Sequence, residues 1–214
     1  MRIGIIGAGA MAEGLGGQWG RAGHDVLVGA RDEERAKALA ARIGARAGSL
    51  REAVLHGSDA VLLAVPYAAA VPVVAALAGG LAGRTLVDCT NPVGPGFRLE
   101  TGGGPSAAER IAAAAPGAHV VKAFNLCHES VWRLTPPVFD GRPLAVPLCG
   151  DEATALRSVR RLVRDLGCEP VNGGGLERAG LLEATAAFLI GLWVGEGADA
   201  QAVAPPLRYA GVAA

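Results

Sequence analysis

Short apolar runs alternate with stretches of helical spacing along nearly the whole chain. Ile3, Ile5 and Ile6 predict a first strand, and Leu15 and Trp19, four apart, predict a helix beginning near Ala10. Gly23-His24 breaks that helix before a second strand, which runs to Gly29-Ala30-Arg31. The next helix spans Asp32 to Ile43, with Asp32 as N-cap and Gly44 as stop, and a short third strand fits Ala45 to Ala47. Ser49 and Glu52 make a capping box for a helix ending near Gly57. Ala60-Val-Leu-Leu-Ala-Val-Pro66 is continuously apolar, the mark of a parallel strand buried on both faces, and an Ala/Val-rich helix follows with Pro72 in its first turn.

The second half continues the alternation. Thr85 to Thr90 is a strand that Asn91-Pro92-Val93-Gly94-Pro95-Gly96 ends abruptly, and the segment through Pro105 has too much Gly and Pro for regular structure, so it reads as a mobile loop. Ser106 and Glu109 cap an alanine-rich helix, and His119 to Asn125 is strand again. Residues His128 to Arg142 carry no clear period. Leu144 to Leu148 is a strand that Pro147 assigns to a sheet edge, Asp151 to Leu166 a helix, and Cys168 to Val171 a last short strand. A helix from Leu176 to about Gly195 closes the pattern. Its second half is apolar nearly all round, which predicts burial, against another protomer in particular, and the tail from Ala198 reads as loosely held.

Strands alternating with helices give an α/β fold of the Rossmann type: a doubly wound, mostly parallel sheet with a short C-terminal helical segment. No linker or internal repeat divides the 214 residues. The expectation is a single dinucleotide-binding domain, with a core of 1–175 and a helix and tail of 176–214 that makes a dimer contact. Twenty basic and twenty acidic side chains balance and no basic run occurs, which argues against nucleic acid or an anionic membrane as partner. Four cysteines without paired spacing read as reduced thiols of a cytoplasmic protein and not as a metal site. The N-terminus opens directly on a core strand, and the apolar stretch Ala184–Gly195 is too short to span a bilayer, so the expected location is the cytoplasm without a membrane anchor.

The chemistry concentrates in the first βαβ unit. Gly7-Ala8-Gly9-Ala10-Met11-Ala12 fits G-x-G-x-x-G/A between a strand and a helix. Gly7 allows the sharp turn, Gly9 lets backbone approach a pyrophosphate, and Ala12 keeps helix and sheet close. The second strand ends Gly29-Ala30-Arg31, so the position that holds an acid in NAD sites is empty and a guanidinium follows; Arg31, with Arg35 one turn on, suits a 2′-phosphate and predicts NADP(H). Ligands of such sheets lie beyond the carboxyl ends of the strands, which gathers Val65, Pro66, Tyr67, Asn91, Pro92 and Asn125 along the path to the nicotinamide, the asparagines as partners of a carboxamide or ribose. His128 is the one histidine at that edge and the candidate proton donor; His24, His56 and His119 read as structural. No Ser-His-Asp set or Tyr-x-x-x-Lys pair is visible, which favours an acceptor that takes hydride without an obligatory side-chain acid.

The chain resembles the NADPH-dependent reductases of the 8-hydroxy-5-deazaflavin coenzyme and the wider group of dinucleotide-binding enzymes around them. That group is also similar to the cytosolic domain of membrane ferric reductases. The resemblance rests on Gly7-Ala-Gly-Ala-Met11, Gly29-Ala-Arg31, Ala64-Val-Pro66, Thr90-Asn-Pro92, Val121-Lys-Ala-Phe-Asn125, Cys149-Gly-Asp151 and the Gly173-Gly-Gly-Leu176 segment before Leu181-Leu-Glu183. It implies NADPH as donor, direct hydride transfer between stacked rings to a deazaflavin or flavin, and a homodimer formed through the C-terminal helix. Two positions depart from the pattern: Ala30 replaces a small polar residue, and Asn125 stands where deazaflavin enzymes carry His. Two other readings stay open, a reductase of a small C=N, C=C or C=O substrate and a non-catalytic NADP-binding sensor. The former class carries a long helical C-terminal domain, against about twenty helical residues here.

Overall fold

In a computed structural model, which describes residues 1–203, eight strands form one sheet in the order β10-β9-β6-β5-β4-β1-β2-β3. They are β1 (Arg2–Ile6), β2 (Asp25–Gly29), β3 (Arg46–Gly48), β4 (Ala60–Leu63), β5 (Thr85–Asp88), β6 (His119–Lys122), β9 (Ala145–Gly150) and β10 (Glu169–Gly174); β7 (Val138–Phe139) and β8 (Arg142–Pro143) make a separate two-stranded ribbon. The six strands from β3 to β6 are parallel in the 3-2-1-4-5-6 order of the dinucleotide-binding folds. β9 runs antiparallel to β6, and β10 parallel to β9.

Helices cover both faces because the central strands are apolar on both sides. Ile3, Ile5, Leu62 and Val121 pack under α1 (Ala10–Arg21), α2 (Glu33–Ile43) and α6 (Ala153–Asp165), with Leu15, Trp19, Leu39 and Val159 fully or almost fully buried. Ile6, Val61, Leu63 and Leu86 pack under α3 (Leu50–His56), α4 (Tyr67–Leu81), α5 (Ala107–Ala114) and α7 (Ala179–Ile190). Side chains alternate across a strand, so Ile5 and Ile6 serve opposite cores. The predicted caps at Asp32, Ser49 and Ser106 all form, the latter two as full capping boxes.

Four expectations change. Pro147 is not on a sheet edge: β9 lies between β10 and β6. β6 reaches only Cys149 and Gly150, however, so at Pro147 the strand has a neighbour on one side alone and the missing N–H leaves no gap in a ladder. Pro72 is the sixth residue of α4, not in its first turn. The carbonyl that would have received its N–H belongs to Ala68, which is exposed and open to water. The Gly/Pro segment after β5 is irregular as expected but tied down. Val93 bridges Leu99, Gly94 N–H donates to the Arg98 carbonyl, and the Phe97 ring lies in a notch left by Gly191 and Gly195 on the terminal helix.

The terminal helix itself departs most. α7 continues through a π-helical turn, Gly191–Glu196, and among the described residues the stretch Leu176–Glu196 is long and apolar enough, by length and composition, to cross a membrane. It is not buried within the chain: Leu181, Phe188, Trp193 and Val194 are exposed, while Ala179, Glu183, Ala186 and Ala187 face inward. Small residues and one carboxylate make the inner face, so the bulky apolar side chains project outward. The tail keeps a 3-10 turn at Ala200–Val203, and from residue 204 on it lies outside the described residues. The ambiguous region after His128 is a 3-10 helix, Glu129–Arg133, that seats Trp132 in the core against Gly14 of α1.

Candidate functional site

The β1–α1 turn is shaped by its two glycines in different ways. Gly7 has φ +120°, and a Cβ there would lie 2.1 Å from the Ala64 carbonyl oxygen on the neighbouring strand end. Gly9 is the N-cap of α1 with extended backbone, and a Cβ there would meet nothing within 4 Å. Packing therefore dictates the first glycine and leaves the second facing open space at a helix N-terminus, where free N–H groups and the helix dipole favour an anion. That open cradle is what a pyrophosphate needs.

The turn opens onto a cavity of about 610 Å³ lined by Gly7, Ala8, Gly9, Ala30, Arg31, Asp32, Arg35, Ala64, Val65 and Pro66, with Leu50, Ala69 and Val73 as its apolar wall. A volume of this order suits a nucleotide-sized ligand. Arg31 and Arg35 are exposed and, among the described residues, make no ion pair, whereas Asp32 is occupied in capping α2 through the Arg35 N–H. Leu50, Ala69 and Val73 were not singled out from the sequence, because only the fold brings the starts of α3 and α4 beside the β2 end.

Further along the strand ends the site becomes polar. Tyr67 opens α4, and its hydroxyl accepts from Arg110, which also donates to the Thr101 carbonyl; the tyrosine is thereby tied to the β5–α5 loop. Asn91, which precedes the buried Pro92, donates through Nδ2 to the Asn125 carbonyl, and Asn125 Nδ2 donates to Asn91 Oδ1 at 2.9 Å and to the Leu182 carbonyl at 3.2 Å. Two acceptors fix the Asn125 amide with its nitrogen toward Asn91 and Leu182. Its Oδ1, on a residue 4% exposed, is left without a partner among the described residues. The backbone turn that delivers Asn125 is strained: Phe124 has φ +63°. Such a conformation costs on the order of 1–3 kcal/mol. Edge-on contacts of Phe124 with Trp19 (5.9 Å) and Trp132 (5.4 Å) offset it, at about 0.5–1.5 kcal/mol each.

Beneath this pair lies a charge cluster that sequence reading missed. Lys122 Nζ is 2.8 Å from Asp88 Oδ2 and 2.9 Å from Glu183 Oε1, and it donates to the Thr90 carbonyl; all three charged side chains are almost wholly buried. Asp88 Oδ1 accepts from the Thr90 N–H and hydroxyl, and Glu183 accepts the Ala107 and Ala108 N–H groups at the start of α5. Burial works against the Lys122 charge, but the attraction of Asp88 and Glu183 and their hydrogen bonds outweigh it and hold the ammonium above its ordinary value.

His128 caps the 3-10 helix, is exposed, and pairs with Glu129 at 2.8 Å and with Ser130. Its local bonds account for it, and it does not line the cavity. Burial pushes the thiols of Cys89 and Cys127 up to about 12 and about 11, so neither is a thiolate near neutral pH.

The model of the coenzyme F420-dependent NADP oxidoreductases matches residues 2–92. Metalloreductase STEAP3 of Rattus norvegicus is 33% identical over 192 residues, covering 90% of this chain; the chain spans 38% of that protein's length. The F420-dependent NADP reductase of Methanothermobacter thermautotrophicus is 28% identical over 210 residues, covering 90% of this chain and 89% of the enzyme. Among solved structures, a hypothetical protein of Sinorhizobium meliloti superposes with a TM-score of 0.74 at 30% identity, over 84% of this chain and 88% of that one.

Proposed function

We propose that this chain belongs with the coenzyme F420-dependent NADP oxidoreductases and is an NADP-dependent oxidoreductase, a reading supported by the family match over residues 2–92 and by the likeness to the Methanothermobacter reductase. It transfers hydride directly between NADP(H) and a flat acceptor of the deazaflavin or flavin type. The observation that carries this reading is the Gly7–Gly9 cradle opening on a cavity whose rim holds the guanidiniums of Arg31 and Arg35, without an ion pair among the described residues, while the carboxylate beside them, Asp32, is taken up in capping α2. The dihydronicotinamide supplies the hydride when bound. The chain supplies position: the α1 N-terminus and Gly9 hold the pyrophosphate, Arg31 and Arg35 the 2′-phosphate, and Leu50, Ala69 and Val73 the adenine. Asn91 and Asn125 border the ring at the far end, where the free Asn125 Oδ1 is an acceptor for an N–H of the carboxamide. Orientation of two reactants can lower a barrier by roughly 7–11 kcal/mol without any side-chain acid.

Two further parts belong to this reading. The protein acts in the cytoplasm on a small-molecule or cofactor substrate. It works as a homodimer in which the exposed Leu181, Phe188, Trp193 and Val194 meet a second copy.

The test follows NADPH absorbance with purified protein and a deazaflavin, a free flavin or a ferric chelate. Rapid oxidation with the deazaflavin or flavin supports the reading. Turnover on imines or carbonyls alone overturns the acceptor. Arg31→Ala should weaken NADPH binding by ten- to a hundredfold and leave NADH binding nearly unchanged, since a charge-assisted contact is worth about 1.5–3 kcal/mol. Equal affinity of wild type and variant for NADPH overturns the 2′-phosphate assignment.

A further inference from the structure

We propose that the buried Asp88–Lys122–Glu183 cluster sets the direction of hydride transfer, by favouring the oxidised, cationic nicotinamide over the reduced one. The inference rests on the reading above, in which the ring lies by Asn91 and Asn125.

The charge is read from the hydrogen bonds. Every contact of the two carboxyl groups is with a donor: the Thr90 N–H and hydroxyl and Lys122 for Asp88, and the Ala107 and Ala108 N–H groups and Lys122 for Glu183. Neither group donates to anything, so both are carboxylates. Two carboxylates against one ammonium leave a formal charge of −1, at 0% exposure for Asp88, Lys122 and Glu183 alike. The adjacent Cys89 thiol, pushed up to about 12, adds no charge. The first N–H groups of α5 soften the excess on Glu183 with a fraction of a positive charge and do not cancel it.

The cluster adjoins, through the chain, each residue that borders the ring end. Asp88 and Lys122 hold Thr90, which precedes Asn91; Lys122 ends the strand that leads into Asn125; Glu183 follows Leu182, whose carbonyl receives the Asn125 amide. A structural hub needs one acid for one base. The second carboxylate is surplus to that pairing and carries a desolvation cost that a scaffold would avoid with an apolar residue.

When NADPH gives up hydride, two electrons and the hydrogen leave together for the acceptor, and the ring passes from neutral to a single positive charge. A fixed negative charge nearby therefore stabilises the product form. At an effective dielectric of about 20, a unit charge roughly 12 Å from the ring changes a binding constant by about tenfold. The bound cofactor is made a stronger reductant by the same factor.

Dissociation constants for NADP+ and NADPH would be measured by calorimetry and by fluorescence of the bound dinucleotide, for wild type, Glu183→Gln and Asp88→Asn. Each variant keeps the shape and removes one charge. The expected result is a rise of about tenfold in Kd(NADP+)/Kd(NADPH); a rise of threefold or more in either folded variant supports the proposal. A purely structural role moves both constants together and leaves the ratio within threefold, which overturns it. Loss of folding in both variants assigns the cluster to the scaffold and also overturns it. Arg31→Ala weakens both forms without changing the ratio. Absence of any nucleotide binding by the wild type defeats the functional reading itself, an outcome separate from an unchanged ratio.

Discussion

Two glycines in one motif are glycine for unlike reasons, and substitution separates them. At Gly7 an alanine would place Cβ 2.1 Å from a backbone oxygen in a φ +120° conformation. Gly7→Ala should therefore cost about 3 kcal/mol or more of stability and lose the dinucleotide with the turn. At Gly9 the same methyl enters open space on ordinary extended backbone. Gly9→Ala should fold within about 0.5 kcal/mol of wild type, yet bind NADPH about tenfold or more weakly, because the methyl stands where phosphate oxygens approach. Thermal unfolding and fluorescence titration of the two variants check this; equal destabilisation by both would remove Gly9 from the site. This pair was legible in the sequence, since the motif states both roles. The apolar wall of the cavity was not, because Leu50, Ala69 and Val73 are ordinary helix residues until the fold places them together.

Elements are joined beneath the Asn91–Asn125 pair by Lys122, and here the sequence held a signal that motif reading passed over. Asp88 interrupts Leu86-Val87-Asp88-Cys89, Lys122 interrupts Val120-Val121-Lys122-Ala123, and Glu183 interrupts the apolar terminal helix. A lone charge in a segment buried on both faces must find a partner, and three such charges in one chain imply that they find one another. What the sequence could not supply was the pairing, which needs β5 beside β6 and α7 folded back over α5. Lys122→Met would leave two buried carboxylates unpaired, so it should destabilise by about 3–5 kcal/mol. For a chain of this size that corresponds to a fall in Tm on the order of 10 °C. Neutralising both acids as well, in Asp88→Asn/Lys122→Met/Glu183→Gln, should recover much of the loss. A triple variant no more stable than the single one in thermal unfolding would show that geometry, and not charge, holds these elements together.

For the whole molecule, periodicity identified most of the strands and helices and the doubly wound class, but the strand order, the elements between His128 and Arg142 and the outer face of the terminal helix required the structure. A helix apolar nearly all round predicts burial, and within one chain only Ala179, Glu183, Ala186 and Ala187 are buried. Leu181, Phe188, Trp193 and Val194 remain exposed on a segment already anchored to the domain by Glu183 and by Phe97 in its glycine notch. Anchoring matters for what covers that face. A helix held on its inner side presents its outer side at a fixed angle, so a second copy can meet it in a two-fold, self-complementary contact. Burying several large apolar side chains there contributes roughly 1.5–3 kcal/mol for each. Phe188→Glu combined with Leu181→Glu changes no residue of the cavity or of the Asn91–Asn125 pair. It should convert a dimer into a monomer in sedimentation equilibrium while leaving NADPH affinity at the Arg31 end within about twofold. A wild type that sediments as a monomer at micromolar concentration would remove the second copy from this account.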